Sequence, residues 1–176
     1  MTTETNNNNL TVFDKLAGPK MEAEVTKLFD RHNRVAEGFG QLMLLLLQAP
    51  RYGKLTVSEL AGSVLEPLAS GNILLSRPTQ TYAGVQSVTV GAAIWGKVSS
   101  NVDDQIRDQI ERKVFPVQLA TSDWNSGEIY WVFDIVAPDV KLLQMTFENI
   151  KNHLKTPKLF VHPALGKILQ MRKVTN

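Results

Sequence analysis

The sequence contains no cysteine, and this absence excludes several kinds of chemistry. A chain without thiols forms no disulfides, has no thiolate nucleophile and offers no sulfur ligands to a metal. The same composition fits a reducing compartment. The three histidines, His32, His153 and His162, are scattered, and none has a His, Asp or Glu partner four residues away that would form a helical ligand pair. We therefore predict no metal site.

Long apolar runs and targeting signals are also lacking. The longest apolar run, at 42–47 (LMLLLL), is far shorter than the roughly 20 residues that a helix needs to span a bilayer. The first residues, MTTETNNNN, have neither the basic region nor the apolar region of a secretory signal. Their polar, Asn-rich composition predicts a disordered tail at 1–9. We expect a cytoplasmic protein.

Several recognition motifs are missing as well. The Gly38-Phe39-Gly40 segment lacks the third glycine and the preceding strand of a dinucleotide-binding fingerprint. The chain has no phosphate-binding GxxxxGK[ST] loop and no GxSxG nucleophile elbow. The basic part of the chain carries no RNA- or DNA-binding pattern, so nucleic acid is not an expected partner.

The composition that remains is that of an ordinary globular protein. The chain has 176 residues, 43% of them hydrophobic, and a formal net charge of +2, which suits one domain with a substantial core. Charge is unevenly distributed, because no acid follows Glu148 while six basic residues do: Lys151, Lys155, Lys158, Lys167, Arg172 and Lys173. This basic stretch is either a solvated surface or a docking face for an acidic partner.

Periodicity predicts an order of helices, two strands, helix, strand, helix and strand. This order is typical of an α/β (α+β) domain with a mixed sheet flanked by helices. Gly38 and Gly40 are predicted to interrupt the first helical region, and Thr56 with Glu59 forms a capping-box pattern. We predict a disordered tail at 1–9, a helical N-terminal extension at 10–38 and one domain at 39–176. The predicted helices are 19–36, 41–48, 56–69, 101–113 and 140–154; the predicted strands are 72–76, 86–95, 129–137 and 158–161; and 167–174 fits either type.

The run IYWVFDIVAP at 129–138 raises a specific question, because it holds a single acid, Asp134. Strict strand alternation places Tyr130, Val132, Asp134 and Val136 on one face. An unpaired carboxylate on such an apolar face would cost several kcal/mol. Asp134 is therefore either a hydrogen-bonded structural acid or part of a functional site.

The same region carries a family resemblance. The segments DWNSGE at 123–128 and WVFDIVAP at 131–138 resemble the pattern D-W-x-S-G-[DE] followed by W-x-x-D-x-x-A-P. This pattern is found in the lysine acyltransferases that activate RTX toxins, the hemolysin-activating protein C type. Upstream, AAIWGKVS at 92–99 resembles the family's second strand, and 40–74 follows its helical segment. The resemblance covers about 39–162.

The resemblance implies a GNAT-like fold and a homodimer. It also implies an acyl-carrier-protein-dependent protein lysine N-acyltransferase, which transfers a fatty acyl group to internal lysines of an RTX-type protoxin and thereby activates it. No bound cofactor is expected, since acyl carrier protein brings the acyl group. Because that carrier is acidic, the basic C-terminal stretch becomes a docking surface by charge complementarity. The apolar run at 42–47 either packs in the core or serves the dimer.

Three residues of this chain fall on catalytic positions of the family. The catalytic aspartate falls on Asp134. The family's histidine, in a motif S-P-x-H, falls on Tyr52 of the segment APRY at 49–52, and an asparagine falls on or near Ser63. Ionising a phenol of pKa about 10 at pH 7 requires roughly 4 kcal/mol, so Tyr52 does not simply replace a histidine base.

Three interpretations of this substitution remain open. Tyr52 positions the amine or donates a hydrogen bond to the oxyanion, while Asp134 takes part in proton transfer. Alternatively, His32 or His162 folds into the site and supplies the base. Finally, the chain is a catalytically silent member of the family that binds acyl carrier protein or the toxin without acyl transfer.

Overall fold

The computed structural model describes residues 19–78 and 88–170. The chain divides into two units, Met1–Glu37 and Gly38–Asn176. The predicted disordered tail at 1–9 lies outside the described residues, and the division into tail, extension and domain stays a prediction. In the described part of the chain, every helix is too short or too polar to cross a membrane.

The first described helix, α1, runs without a break from Pro19 to Leu46, so the predicted interruption at Gly38 and Gly40 is wrong. A glycine within a helix costs roughly 1 kcal/mol relative to alanine, and tertiary packing outweighs that cost here. A Cβ atom on Gly38 would lie 3.3 Å from Leu68 Cδ1, so the absence of a side chain permits close approach. The last turns of α1 bury three leucines in the second unit: Leu42, Leu45 and Leu46.

A second helical segment follows, and it is not uniform. It consists of α2 (Val57–Leu60), a π-helical turn (Ala61–Leu65) and α3 (Glu66–Ala69). The predicted capping box is present, because Glu59 N donates to Thr56 Oγ1 at 3.3 Å and Thr56 N donates to Glu59 Oε2 at 2.7 Å. Single π-helical turns inside α-helices are frequent at functional sites.

The sheet has four strands in the order β1-β2-β3-β4. The pairs β1–β2 and β2–β3 are antiparallel, and β3–β4 is parallel. The mixed α/β fold class is therefore confirmed, and it is consistent with a GNAT-like single domain. The strands are β1 (Ile73–Ser76), β2 (Gly91–Val98), β3 (Ile129–Val136) and β4 (Leu159–Val161).

The remaining helices are α4 (Ser100–Glu111), α5 (Val140–Leu154) and α6 (Pro163–Gln170), and a 3-10 turn spans Thr121–Asp123. The side chains of Ser99 and Asp139 cap the first turns of α4 and α5. The second strand begins at Gly91 and ends at Val98, later than the predicted 86–95. The ambiguous segment at 167–174 is helical as far as Gln170, and its last residues lie outside the described range.

Apolar side chains pack on both faces of the sheet. One face, on which Ala92, Ile94 and Val136 lie, packs against the end of α1, the π-helical turn and α4. The opposite face, on which Ala93 and Ile135 lie, packs against α5 and the start of α6. The functional site described below lies on the first face.

The D-W-x-S-G signature joins the start of β3 to the end of β2. Ser126 Oγ accepts a hydrogen bond from Ser99 N at 2.9 Å, and Lys97 N donates to Trp124 O at 2.9 Å. A Cβ atom on Gly127 would lie 2.5 Å from Ser99 Cα, so no larger residue fits without backbone movement. These contacts account for the serine and the glycine of the signature by packing and hydrogen bonding.

Candidate active site

A β-bulge in β3 determines where the side chain of Asp134 lies. Asp134 is opposite Ile94, whereas the next pair along the ladder joins Trp95 to Val132. Phe133 is thus an extra residue with no partner on β2. Bulges of this kind bend a strand and redirect side chains, and they are over-represented next to active sites.

The bulge overturns one prediction made from alternation. Tyr130, Val132, Asp134 and Val136 do not share a face, because Val132 packs with Ile135 on the α5 side of the sheet. Asp134 instead lies on the face of its partner Ile94. The run IYWVFDIVAP carries no proline or glycine at the bulge, so the sequence gives no sign of it.

The turn after α1 directs two side chains towards Asp134. The helix stops before Pro50, which lacks an amide donor and disfavours helix at the preceding residue. The chain then reverses through a hydrogen bond of 2.9 Å from Tyr52 N to Ala49 O and another of 3.1 Å from Leu55 N to Tyr52 O. Arg51 and Tyr52 consequently meet β3, although Tyr52 and Asp134 lie 82 positions apart in the chain.

The carboxylate of Asp134 accepts hydrogen bonds from four donors. Its Oδ2 atom accepts from Tyr52 Oη at 2.6 Å and from Arg51 Nε at 2.8 Å. Its Oδ1 atom accepts from Arg51 Nη2 at 3.0 Å and from Ile135 N at 2.8 Å. Asp134 is only 5% exposed, and the bidentate arginine with the two further donors offsets the cost of burying its charge.

Tyr52 is a neutral hydrogen-bond donor. Burial and the negative charge of Asp134 raise the pKa of Tyr52 well above its ordinary value of about 10, and the opposing effect of Arg51 is smaller. The ring packs edge-on against Phe115, with centroids 5.5 Å apart. The phenol therefore keeps its proton at neutral pH and directs it to Asp134.

Ser63 lies beside these residues on the π-helical turn. It is buried, and its Oγ donates to Glu59 O at 2.6 Å. Together with Tyr52 and Asp134 it borders a small cavity of about 20 Å³, which is enough for about one water molecule. The structure thus brings together all three predicted site residues, while their catalytic roles stay predictions.

A larger cavity of about 490 Å³ lies next to the small one. Phe115, Phe133, Asp134 and His162 border both. The larger cavity is otherwise lined mainly by apolar side chains from α4 and α6, together with Arg51 and Lys113. Such a space, mostly apolar with a few polar groups, is typical of a small-molecule site.

Of the three histidines, only His162 borders these cavities. His32 and His153 are exposed. His162 follows β4, and its backbone N donates to Val132 O at 3.0 Å, which extends the parallel ladder and carries the ring towards Asp134. Burial lowers the pKa of His162, and the negative charge of Asp134 opposes this effect. Of the two histidines that the sequence left open as a replacement base, His162 lies at the cavities and His32 does not; a role as the base stays a prediction.

Sequence reasoning did not identify Arg51 as a site residue. Arg51 precedes Tyr52 in the segment APRY, and an arginine is the residue best suited to pair with a buried carboxylate in a bidentate way. Its position next to Tyr52 was the available signal. Within residues 19–78 and 88–170, no group of three His, Asp or Glu side chains is arranged to hold a metal ion.

Comparison of the chain with known protein families identifies the family to which it is similar. A family model described as the RTX toxin acyltransferase family matches residues 31–173. The match begins inside α1, eight residues before the point at 39 where the resemblance was expected to start. Part of the predicted extension therefore belongs to the matched region. No curated protein matches the chain.

Proposed function

Because the chain belongs to the RTX toxin acyltransferase family, we propose that it transfers a fatty acyl group from acyl carrier protein to internal lysines of an RTX protoxin and so activates the toxin. The observation that carries this proposal is the 2.6 Å hydrogen bond from Tyr52 Oη to Asp134 Oδ2. It joins two positions at which the chain resembles the family's catalytic pattern. Both residues border the small cavity, and Asp134 also borders the larger one, which has room for part of an acyl chain.

The reaction converts a thioester and an amine into an amide and a thiol. A lysine ammonium, whose pKa is near 10.4, first loses one proton to solvent, because the charged form has no lone pair for attack. The amine nitrogen then bonds to the thioester carbonyl carbon, and the carbonyl electron pair moves to oxygen. As the oxyanion collapses, the C–S bond breaks and the carrier leaves as a thiolate. The second amine proton must pass from nitrogen to this sulfur.

Tyr52 and Asp134 form a relay for that second proton. Tyr52 Oη has lone pairs that can accept the amine proton while its own proton moves to Asp134 Oδ2. Because the raised pKa of Tyr52 disfavours a free phenolate, both transfers occur in one concerted movement. The proton then returns by the same route to the thiolate, which restores the site. General acid–base assistance of this kind contributes about 10²–10⁴-fold to a rate.

Arg51 and Ser63 are positioning residues in this proposal. Arg51 holds the carboxylate at both oxygens and also donates to Ile135 O at 2.9 Å, which fixes the plane of the carboxylate. Ser63 closes the small cavity on the side of α2 and α3. Neither residue gains or loses a proton in the reaction.

The partners follow from the chemistry of the donor and acceptor. Acyl carrier protein is acidic, and we propose that the basic C-terminal stretch is its docking surface. Lys151 already pairs with Glu148 at 3.0 Å, so Lys155 and Lys158 are the stronger candidates among the described lysines of that stretch. We also propose that the protein forms a homodimer and that the reaction takes place in the cytoplasm. A chain without cysteine fits this reducing compartment.

One observation favours a second candidate function, a catalytically silent binding protein. All four hydrogen-bonding positions of the Asp134 carboxylate are occupied, as expected of an acid that only holds the turn at 51–52 against β3. In this case the chain would bind acyl carrier protein or the toxin without transferring the acyl group.

Co-expression with the cognate RTX protoxin and acyl carrier protein tests both candidates. Wild type, Asp134→Asn and Tyr52→His are compared by the intact mass of the toxin and by peptide mapping of the modified lysines. Acyl transfer predicts a fatty-acyl mass increase on lysine with wild type and its loss with Asp134→Asn. An unmodified toxin with wild type, but a modified one with Tyr52→His, would support the silent binding protein.

A further inference from the structure

The imidazole of His162 has one nitrogen that no other group uses. Nε2 is fully buried and has no hydrogen-bond partner among the described residues. The ring borders both cavities together with Asp134. A buried polar atom without a partner destabilises the folded protein, and such exceptions call for an explanation. A ligand group that binds this nitrogen would remove this destabilisation.

The other ring nitrogen determines which hydrogen-bonding role Nε2 has. Nδ1 accepts a hydrogen bond from Ala164 N at 3.3 Å, so it carries a lone pair and no proton. A neutral imidazole has one protonated and one unprotonated nitrogen. The proton of neutral His162 is therefore on Nε2, which makes Nε2 a hydrogen-bond donor and not a base.

The surroundings keep the ring neutral. Protonation of Nδ1 would place two N–H donors, of His162 and Ala164, against each other. Burial disfavours the imidazolium in addition, although Asp134 acts in the opposite direction. The other titratable side chains that border the two cavities are Arg51, Tyr52 and Lys113; Arg51 and Lys113 are cations that disfavour a further positive charge.

We propose that His162 Nε2–H donates a hydrogen bond to the carbonyl oxygen of the acyl thioester and stabilises the oxyanion that forms there. This inference rests on the proposed acyl transfer. In the step concerned, the amine nitrogen bonds to the carbonyl carbon and the carbonyl electron pair moves to oxygen, where Nε2–H meets the new negative charge. The proton stays on Nε2 throughout, and the C–S bond then breaks as before. In this proposal the relay of Tyr52 and Asp134 moves the amine proton, and the donor of His162 stabilises the carbonyl oxygen.

Two variants separate a donor from a base. His162→Gln keeps an N–H donor near the position of Nε2 but has no titratable nitrogen, and His162→Phe keeps the ring and loses the donor. We expect His162→Phe to lower kcat by about 10²–10³-fold, the usual effect of losing one oxyanion donor, while His162→Gln stays within about tenfold of wild type. His32→Gln, at an exposed histidine of helix α1 that borders neither cavity, is the control and should match wild type.

The assay is single-turnover acylation of purified protoxin by a purified acyl-carrier thioester, with the Kd for the carrier and the Tm of each variant measured alongside. Retained Tm and Kd with the predicted ranking support the donor. Equal activity of all variants would overturn it, and so would an equal loss in His162→Gln and His162→Phe. If wild type itself transfers no acyl group, the proposed function fails and this step fails with it.

A spectroscopic measurement tests the tautomer whether or not the protein is active. Nitrogen-15 NMR of the histidine-labelled full chain, with the His162 signals assigned by their absence in His162→Gln, reports which nitrogen carries the proton. We expect the Nε2–H tautomer at pH 7 and a ring pKa below the ordinary 6.5. A proton on Nδ1, or a charged ring at pH 7, would overturn the inference even if acylation is observed.

Discussion

Replacing Tyr52 by phenylalanine removes the hydroxyl group of the site and leaves the rest of the side chain in place. The edge-on contact of the ring with Phe115 is kept. The substitution removes the 2.6 Å hydrogen bond to Asp134 Oδ2. This oxygen then keeps a single donor, Arg51 Nε, at 2.8 Å. Hydrogen bonds to charged groups contribute about 1.5–3 kcal/mol, so we expect Tyr52→Phe to lower the free energy of unfolding by about 2 kcal/mol at pH 8.

The difference between the two proteins should depend on pH in a specified direction. In the unfolded chain Tyr52 loses its proton above a pH of about 10, whereas in the folded chain its raised pKa keeps the proton bound. The unfolded state then binds fewer protons than the folded state, and stability falls as pH rises, by about 1.4 kcal/mol per pH unit. The stabilisation from the tyrosine is thus fully present below pH 10 and declines above it.

Urea unfolding followed by tryptophan fluorescence measures this difference. The other titrating groups are common to wild type and Tyr52→Phe, so their contributions cancel when one free energy is subtracted from the other. We expect a gap of about 2 kcal/mol at pH 8 that shrinks to below about 1 kcal/mol at pH 11. A gap that is constant or grows over this range would refute the assignment of Tyr52 as a neutral buried donor to Asp134.

Three further substitutions test the backbone and the ion pair. Gly127→Ala places a Cβ atom 2.5 Å from Ser99 Cα and should destabilise the protein by about 1–3 kcal/mol. Gly40→Ala, in helix α1, places its Cβ atom more than 4 Å from any atom outside the nearby helix backbone and the adjoining residues, and it should stabilise the protein by up to about 1 kcal/mol. Both changes are measured by urea unfolding. Arg51→Lys keeps the charge but loses the bidentate geometry on Asp134, so we expect a loss of about 1–2 kcal/mol and a clear fall in acylation; unchanged stability and rate would contradict the positioning role of Arg51.

Periodicity and capping signals predicted much of the fold because they are local properties of the chain. Helix α5 was predicted with its observed bounds, and the Thr56 capping box was found in place. The continuous helix α1 was missed because contacts remote in sequence, such as Gly38 against Leu68, outweigh the intrinsic cost of glycine. Propensity contains no information about such contacts.

The sequence indicated which three residues lie together but not the geometry in which they lie. The resemblance pointed to Asp134, Tyr52 and Ser63, which border one cavity. The bulge at Phe133 reverses the face on which Asp134 lies. The run of strand-forming residues around it contains no proline or glycine that would indicate a bulge. Arg51 lies near Asp134 because of the turn after α1, and His162 because of the parallel pairing of β4 with β3. Both are tertiary features.

The most direct test of the central claim, acyl transfer to lysine, is a reconstituted reaction of purified protein, acyl-carrier thioester and RTX protoxin. Free carrier thiol and toxin mass are measured together over time for wild type and Asp134→Asn. We expect one thiol to be released for each acyl amide formed on lysine, and a rate at least about 10²-fold lower for Asp134→Asn with toxin binding retained. Thiol release without amide formation, or equal rates for the two proteins, would contradict this expectation.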